Sequence, residues 1–141
     1  MKPLNAVAVD TGPLIALSDQ SDDQHLRCQQ ALKRLSGRTK LITVEPVITE
    51  ACYVLSGFGP ALERLRSIIC WPVVEISSMS KERFTRAIEI VGDYRDSKLD
   101  FADAVLMAMC EEYGLDTVFT LDRRDFEVFR PRHLKRLKLI P

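Results

Sequence analysis

The sequence predicts a three-layer α/β/α domain in which helices cover both faces of a mostly parallel sheet. Short runs rich in Val, Ile and Leu alternate along the chain with longer amphipathic patterns. The short runs are apolar throughout, without strict polar–apolar alternation, which is typical of parallel strands buried on both faces. No repeat, low-complexity stretch or linker interrupts the 141 residues. We therefore expect a single domain that spans residues 1–141.

The amino-terminal third is predicted to contain one strand and two helices. Asn5–Asp10 is a brief apolar run closed by turn-forming residues, which is typical of a buried strand. Pro13–Ser18 follows as a short helix with proline in its first turn. Asp22 or Asp23 caps the next helix, which ends at Ser36-Gly37.

The middle third is predicted to contain two strands with two helices between them. Lys40–Val44 is a second buried strand, and a helix then runs from Pro46 to about Leu55. Two glycines end that helix, and Ala61–Cys70 forms the next one. Pro72–Ile76 is expected to return to the sheet as the third strand.

The carboxyl-terminal part completes the alternation. Lys81–Arg95 has the apolar spacing of an amphipathic helix, and Asp100–Tyr113 is a second, far more apolar helix that ends at a glycine. Thr117–Leu121 is predicted to be a buried strand, followed by a short helix over Arg123–Phe129. Leu137–Ile140 is expected to add a strand at the edge of the sheet.

The composition excludes several classes of protein. With 46% apolar and 28% charged residues the chain is neither a disordered tail nor a fibre. Its apolar runs stay well short of the roughly 18 residues of a membrane span, and Met1–Leu4 lacks the features of a signal peptide. The four cysteines lie far apart without metal-ligand spacing, so they are expected to be reduced thiols. These features predict a cytoplasmic protein without a membrane partner.

The net charge of zero conceals an asymmetry along the chain. The segment from Arg123 to Pro141 contains seven Lys or Arg residues and two acids, a net charge of +5, and the preceding residues therefore have −5. A basic segment on a neutral protein favours a polyanionic partner. A solvated helix end would have the same composition, so charge alone leaves both interpretations open.

Acidic residues follow the predicted strands at positions that should converge in space. Asp10 ends the first strand, and Asp122 follows the strand Thr117–Leu121. Glu50 lies one turn into the helix after the second strand, and Asp100 and Asp103 open a later helix. Ligands of such sheets bind beyond the carboxyl ends of the strands, where the strand order reverses. We therefore expect these five acids to line one site.

Each of these acids also has an interpretation that requires no function. Asp10 precedes good turn-forming residues, and Asp122 is suited to cap the helix that follows it. Asp100 and Asp103 have the spacing of a capping box, and both would favour the dipole of their helix. Glu50 would then be an ordinary exposed helical residue. These interpretations explain each acid singly. They explain less well why four separated segments all place an acid at the same edge of the sheet.

Asp103 is the strongest single indication of a site. It is the only polar side chain within Phe101–Cys110, and a helix that is apolar all round is buried. A buried carboxylate without a compensating cation or hydrogen-bond donors costs several kcal/mol. Carboxylates gathered without basic neighbours suit a hard divalent cation, Mg²⁺ or Mn²⁺, which activates water and neutralises charge on a phosphoryl group.

Four segments, taken in order, resemble the PIN-domain family, and in particular the ribonuclease toxins of VapC-type toxin–antitoxin pairs. The resemblance covers almost the whole chain, and it depends on the order and spacing of the segments more than on any one of them. The segments are Val9-Asp10-Thr11-Gly12-Pro13-Leu14-Ile15-Ala16-Leu17, Pro46-Val47-Ile48-Thr49-Glu50-Ala51, Leu99-Asp100-Phe101-Ala102-Asp103-Ala104 and Thr120-Leu121-Asp122-Arg123-Arg124-Asp125-Phe126.

The resemblance implies a PIN fold with the first strand at the centre of the sheet, and Mg²⁺- or Mn²⁺-dependent cleavage of RNA phosphodiesters. It also implies a small antitoxin whose tail enters the acidic pocket, and a homodimer. The residues it assigns are Asp10, Glu50, Asp103 and Asp122 as the catalytic and metal-binding quartet, with Asp100 and Thr11 as auxiliary groups.

Other residues and functions remain open at the level of sequence. Asp125 also follows a strand end and could replace Asp122 as a ligand, while Arg123 and Arg124 flank the expected pocket and could hold the substrate backbone. A receiver-like domain also binds Mg²⁺ with strand-end acids, but it requires adjacent acids after the first strand and a lysine where Asp122 stands. A catalytically silent interaction module with the same fold is the third interpretation.

Overall fold

The computed structural model describes residues 5–141. Segment 1–4, in which we expect no signal peptide, lies outside the described residues. Five strands form one parallel sheet in the order β3-β2-β1-β4-β5, so the first strand is central, as the resemblance implies. The strands are β1 (Ala6–Val9), β2 (Lys40–Val44), β3 (Val74–Ser77), β4 (Thr117–Phe119) and β5 (Lys138–Ile140).

The helices connect successive strands and lie on both sides of the sheet, which confirms the predicted fold class. The helix α1 packs against α2, α3 and α4, whereas α5 packs mainly against α6. They are α1 (Thr11–Ser18), α2 (His25–Arg34), α3 (Glu45–Leu55), α4 (Gly59–Ile69), α5 (Lys81–Asp93), α6 (Phe101–Tyr113) and α7 (Arg123–Val128).

The core forms around the central strand and the apolar helix. Every residue of β1 is buried, because both faces of the strand are covered by helices. Residues Ala102–Cys110 of α6 are likewise all buried, as expected for a helix that is apolar all round. Asp103 lies within this buried stretch and is only 6% exposed.

The element boundaries differ from those predicted by small shifts. The helix α1 begins at Thr11, directly after Asp10, instead of at Pro13. The helix α5 ends at Asp93, since a short 3-10 turn and Lys98, with a left-handed φ of 55°, redirect the chain towards α6. The strand β4 ends at Phe119, two residues before the predicted end. None of the helices in the described part of the chain is long and apolar enough to cross a membrane.

Candidate active site

The candidate site lies at the carboxyl ends of the two central strands. Asp10 follows β1, and its backbone N–H donates to the carbonyl oxygen of Phe119 at 2.9 Å, which joins the ends of β1 and β4. The chain then turns from β1 directly into α1 and from β4 into α7. Because parallel strands end at one edge, residues about 110 positions apart in sequence lie side by side.

The Asp10 carboxyl group is buried beside a threonine hydroxyl. Its residue is 4% exposed, and the Thr120 hydroxyl donates to its Oδ2 atom at 2.7 Å. Its side chain makes no capping hydrogen bond to α1. Burial raises the pKa of Asp10 to about 6, although the hydrogen bond from Thr120 opposes this, and the nearby charges of Asp100 and Glu50 add to it.

Asp100 and Asp103 have different roles at the start of α6. The Asp100 Oδ1 atom accepts a hydrogen bond from the Asp103 backbone N–H at 2.8 Å, so Asp100 caps the helix as one interpretation predicted. The Asp103 carboxyl group is instead buried. Burial, followed by the negative charges of Asp10 and Asp100, raises the pKa of Asp103 to about 9.

Asp103, Asp122 and Asp125 form the tightest acidic group. One carboxylate oxygen from each lies within 4.8 Å of the others. The backbone N–H of Asp122 donates to the Thr120 hydroxyl at 3.0 Å, whereas its side chain makes no capping bond to α7. Burial, and then a hydrogen bond with Asp122, raises the pKa of Asp125 to about 6. Asp125 thus stands beside Asp122 in the site.

Glu50 lies beside Asp10 on the other flank of the site. The Thr11 hydroxyl donates to the Glu50 Oε2 atom at 2.9 Å, so the auxiliary threonine orients this carboxylate. Glu50 is exposed, and its charge contributes to the raised pKa of Asp10. Neither Asp10 nor Glu50 belongs to the group of carboxylates within 4.8 Å found among residues 5–141. Of the predicted quartet, Asp103 and Asp122 are members of that group.

The donor set fits a hard divalent cation. Within residues 5–141, no Lys or Arg side chain forms a salt bridge with any of the six site acids. The available ligand atoms are all oxygens, which Mg²⁺ and Mn²⁺ prefer over the softer metals. The six acids are Asp10, Glu50, Asp100, Asp103, Asp122 and Asp125. Two of them, Asp10 and Asp103, are buried carboxylates of the kind that a cation would stabilise.

Two arginines flank the site at the start of α7. The Arg123 Nε atom lies 3.4 Å from a Glu127 carboxylate oxygen, and its Nη1 atom donates to the carbonyl oxygen of Pro141 at 3.2 Å. Arg124 is exposed, and its charge partly opposes the raised pKa of Asp125. Arg124 is thus near Asp125 without forming a salt bridge in the described part of the chain, whereas Arg123 contacts Glu127 and Pro141.

Thr120 is the site residue that sequence reasoning missed. It is fully buried, donates to Asp10 and accepts from the backbone of Asp122, so one hydroxyl connects two of the acids. Threonine is common in strands, and its position in a β-rich run gave no reason to separate it from the other strand residues. Its place two residues before Asp122 was the only signal that could have found it.

Known proteins are similar to this chain in sequence or in fold. The curated ribonuclease VapC26 of Mycobacterium tuberculosis is 28% identical over 138 residues, which cover 94% of this chain and 98% of that protein. The crystal structure of M. tuberculosis VapC20, described as a sarcin-ricin loop cleaving toxin, has a TM-score of 0.71 at 20% identity. That match covers 79% of this chain and 86% of the VapC20 chain.

Two further solved structures have the same fold at similar or lower identity. A toxin–antitoxin complex from Klebsiella pneumoniae matches with a TM-score of 0.66 at 20% identity, over 87% of this chain and 92% of that chain. VapBC2 from Rickettsia felis, bound to a DNA fragment from its promoter, matches with a TM-score of 0.69 at 14% identity, over 95% and 96%. The family model described as PIN domain matches residues 7–130, and the chain therefore belongs to the PIN-domain family.

Proposed function

We propose that this protein is a Mg²⁺- or Mn²⁺-dependent endoribonuclease and the toxin of a VapBC-type toxin–antitoxin pair. The observation that supports it most is the burial of Asp10 and Asp103 at one sheet edge without a cationic partner in the described chain. An uncompensated pair of carboxylates costs stability, so its presence is best explained by a bound cation. The name of the relative VapC26, a ribonuclease, supports the reaction.

In this proposal the acids have different roles in metal binding and catalysis. Asp10 and Asp103 are the principal ligands, and Glu50 and Asp122 complete the coordination shell or orient the attacking water. The bound ion supplies an acidified water and neutralises charge on the phosphoryl group. Asp100 and Thr11 act as auxiliary groups, since Asp100 fixes the start of α6 and Thr11 holds Glu50.

The remaining side chains of the site orient the ligands and the substrate. Thr120 fixes the direction of the Asp10 carboxylate, and Asp125 adds a further acidic oxygen beside Asp122. Arg123 and Arg124 hold phosphates of the RNA backbone next to the scissile bond. No covalent nucleophile is needed, because hydroxide displaces the leaving oxygen at phosphorus directly and that oxygen takes a proton from water.

The same proposal covers the assembly. The toxin–antitoxin complex and VapBC2 among the solved structures support a small antitoxin as the partner of this chain. We further propose a homodimer in the cytoplasm, built from one domain that spans residues 1–141. Light scattering of the purified protein measures the dimer directly, and a mass equal to one chain at micromolar concentration would contradict it.

The proposed reaction is tested by Asp103→Asn with RNA as the substrate. We expect wild-type protein to cleave RNA with Mg²⁺ or Mn²⁺ and to stop in EDTA, and the variant to lose activity by at least about 100-fold. The matched control is Asp23→Asn, an exposed acid before α2 whose loss should leave activity unaltered. Full activity in folded Asp103→Asn protein would reject the site assignment.

A phosphotransfer assay distinguishes the receiver-like alternative from the proposed nuclease. A receiver-like domain accepts a phosphoryl group on a strand-end aspartate, whereas the proposed nuclease has no acceptor role for Asp10. Incubation with acetyl phosphate and Mg²⁺ should therefore leave the protein unlabelled. A catalytically silent module would cleave no RNA with either metal, so the nuclease assay separates that alternative as well.

A further inference from the structure

The basic carboxyl-terminal segment lies along the open edge of the sheet and begins at the acidic site. It starts with α7, whose first turn contains Arg124 and Asp125, and it ends in the edge strand β5. The register pairs Lys138 with Thr117 and Ile140 with Phe119, so β5 runs towards the same edge as β4. The segment therefore leads from the carboxyl ends of the strands, where the acids lie, to the amino end of β5.

Four cations of this segment have neither a salt bridge nor a side-chain hydrogen bond within the described residues. Among the described residues, none of their side chains forms a salt bridge with a carboxylate, and all four are exposed. We call these residues the basic track, and they are Arg124, Lys135, Arg136 and Lys138. The other three cations of the segment have partners within the described chain: Arg123 lies near Glu127, Arg130 donates to three carbonyl groups, and Arg132 pairs with Glu89.

The neighbouring acids do not cancel the charge of the basic track. Glu111 accepts from Arg86 and from the backbone of Arg132, and Glu89 lies against Arg86 and Arg132. Asp116 is the remaining acid beside β5, and its single charge offsets only part of the positive charge. The segment has a net charge of +5 in a neutral chain, so an unpaired positive surface remains.

We infer that the basic track binds the phosphate backbone of the RNA that extends from the acidic site. Lys138, at the amino end of β5, pairs with Thr117, and the three residues Thr117–Phe119 span about 10 Å towards the acidic site. Phosphates follow one another every 3.4 Å or so along one strand of a duplex, so about three phosphates cover that distance. An acidic edge alone repels a polyanion, and contacts away from the scissile bond compensate for that repulsion. This inference rests on the proposed function, because it takes RNA as the ligand.

The test removes three charges of the basic track and measures RNA binding without metal. In EDTA, the variant Lys135→Gln/Arg136→Gln/Lys138→Gln should bind a single-stranded RNA of about 20 nucleotides roughly tenfold more weakly than wild-type protein. The slope of log K against log salt should fall by about 2, since each phosphate contact contributes about 0.7 for single strands. Fluorescence anisotropy at several salt concentrations measures both quantities.

A matched variant on another part of the surface controls for net charge. Lys33→Gln/Arg34→Gln/Arg38→Gln removes the same charge from exposed side chains at the end of α2 and before β2. We expect it to retain the affinity and the salt slope of the wild type within about twofold. Equal losses in both triple variants would overturn the inference, because they would show a general charge effect.

The outcomes also separate this inference from the proposed function. If wild-type protein binds RNA through the basic track but cleaves none with Mg²⁺ or Mn²⁺, the nuclease proposal fails and the inference stands. If the triple variant keeps wild-type RNA affinity but loses binding to poly-glutamate, the basic track serves an acidic protein and the inference is wrong. If the triple variant keeps wild-type affinity for both RNA and poly-glutamate, the inference is also wrong.

Discussion

At the scale of single residues, the site is held together by side chains that the folded chain forces into proximity. Asp10 and Asp103 are both buried, and each raises the free energy of the other's ionised form. The Thr120 hydroxyl is the only side chain in the described chain that hydrogen-bonds the Asp10 carboxylate. The stability of the metal-free protein should therefore depend on pH. Removal of the Thr120 hydroxyl should also change the site.

Asp103 should make the metal-free protein less stable as the pH rises. Its folded pKa of about 9 exceeds the ordinary 3.8, so between these values the folded state binds more protons than the unfolded state, and stability falls with rising pH. In EDTA, Asp103→Asn should therefore be more stable than wild type at about pH 8.5, by about 3 °C or more in Tm, with the difference shrinking towards pH 5. A difference that grows towards low pH would contradict this assignment.

Thr120→Val tests the hydroxyl that sequence reasoning missed. The substitution keeps the shape of the side chain but removes the donor to Asp10 and the acceptor for the Asp122 N–H. We expect kcat to fall about tenfold, which corresponds to the loss of roughly one hydrogen bond, and Thr120→Ser to restore most of it.

Thr43→Val is the matched control for that substitution. The Thr43 hydroxyl is also buried and donates to the carbonyl oxygen of Val9 at 2.8 Å, but it contacts no site acid. Its loss should affect Tm without a comparable fall in kcat. Equal falls in kcat for the two variants would assign Thr120 a purely structural role.

At the scale of the elements, the turn into α1 brings the β1 end close to the β4 end. A Cβ atom on Gly12 would lie 3.2 Å from the Leu121 Cβ atom and 3.3 Å from its Cδ1 atom. Leu121 connects Thr120 to Asp122. A side chain at position 12 that displaces Leu121 would therefore also displace these two site residues. The close approach of α1 and this connection favours glycine at that position, because a larger residue would displace Leu121.

Two glycine substitutions in helices should have opposite effects. Gly92 lies near the end of α5, and a Cβ atom added there would have no neighbour within 4 Å, so Gly92→Ala should raise Tm by about 2–4 °C through helix propensity. Gly12→Ala should lower activity and bring no such gain, because Leu121 must move. Thermal unfolding and RNA cleavage of both variants measure the contrast. A stabilised, fully active Gly12→Ala protein would refute the argument.

At the scale of the whole molecule, the charges are separated along the sheet. The carboxyl edge collects Asp10, Glu50, Asp103, Asp122 and Asp125, whereas the basic segment lies along the β5 side. A formal net charge of zero therefore describes two regions of opposite sign. The acidic region favours cations, and the basic region favours a polyanion.

Divalent metal should stabilise the folded molecule as a whole. A ligand that binds only the folded state at about 100 times its Kd adds roughly 2.7 kcal/mol, which corresponds to several degrees in Tm. We expect Mn²⁺ to raise the Tm of wild-type protein, EDTA to reverse it, and the shift to be larger at about pH 8 than at pH 6 because protons compete for the same oxygens. An equal shift in Asp103→Asn would place the metal elsewhere.

Much of the fold was predictable because its signals are local. The run KLITV and the apolar stretch of α6 identify a buried strand and a buried helix by composition alone. The end of β4 and the start of α1 were displaced by two residues, since the contacts that set them come from other elements. Propensity acts within a segment, and boundaries depend on what packs against it.

The acidic residues were predictable as candidates, but their mutual arrangement was not. Strand-end positions indicated Asp10 and Asp122, and an apolar context indicated Asp103. That oxygens of Asp122 and Asp125 would lie within 4.8 Å of an Asp103 oxygen, and that Thr120 would donate to Asp10, depended on contacts between separate elements. The cap of α6 by Asp100 is a local contact, and the spacing of the two residues predicted it.

The amino-acid sequence by itself determined the order of strands and helices and the chemical type of the site, because hydrophobic pattern and residue type are properties of single segments. Only the tertiary structure decided which oxygens meet, which hydroxyl fixes them and which cations remain unpaired. Those features depend on contacts between residues up to 110 positions apart, and such contacts form only when the sheet aligns the ends of its strands.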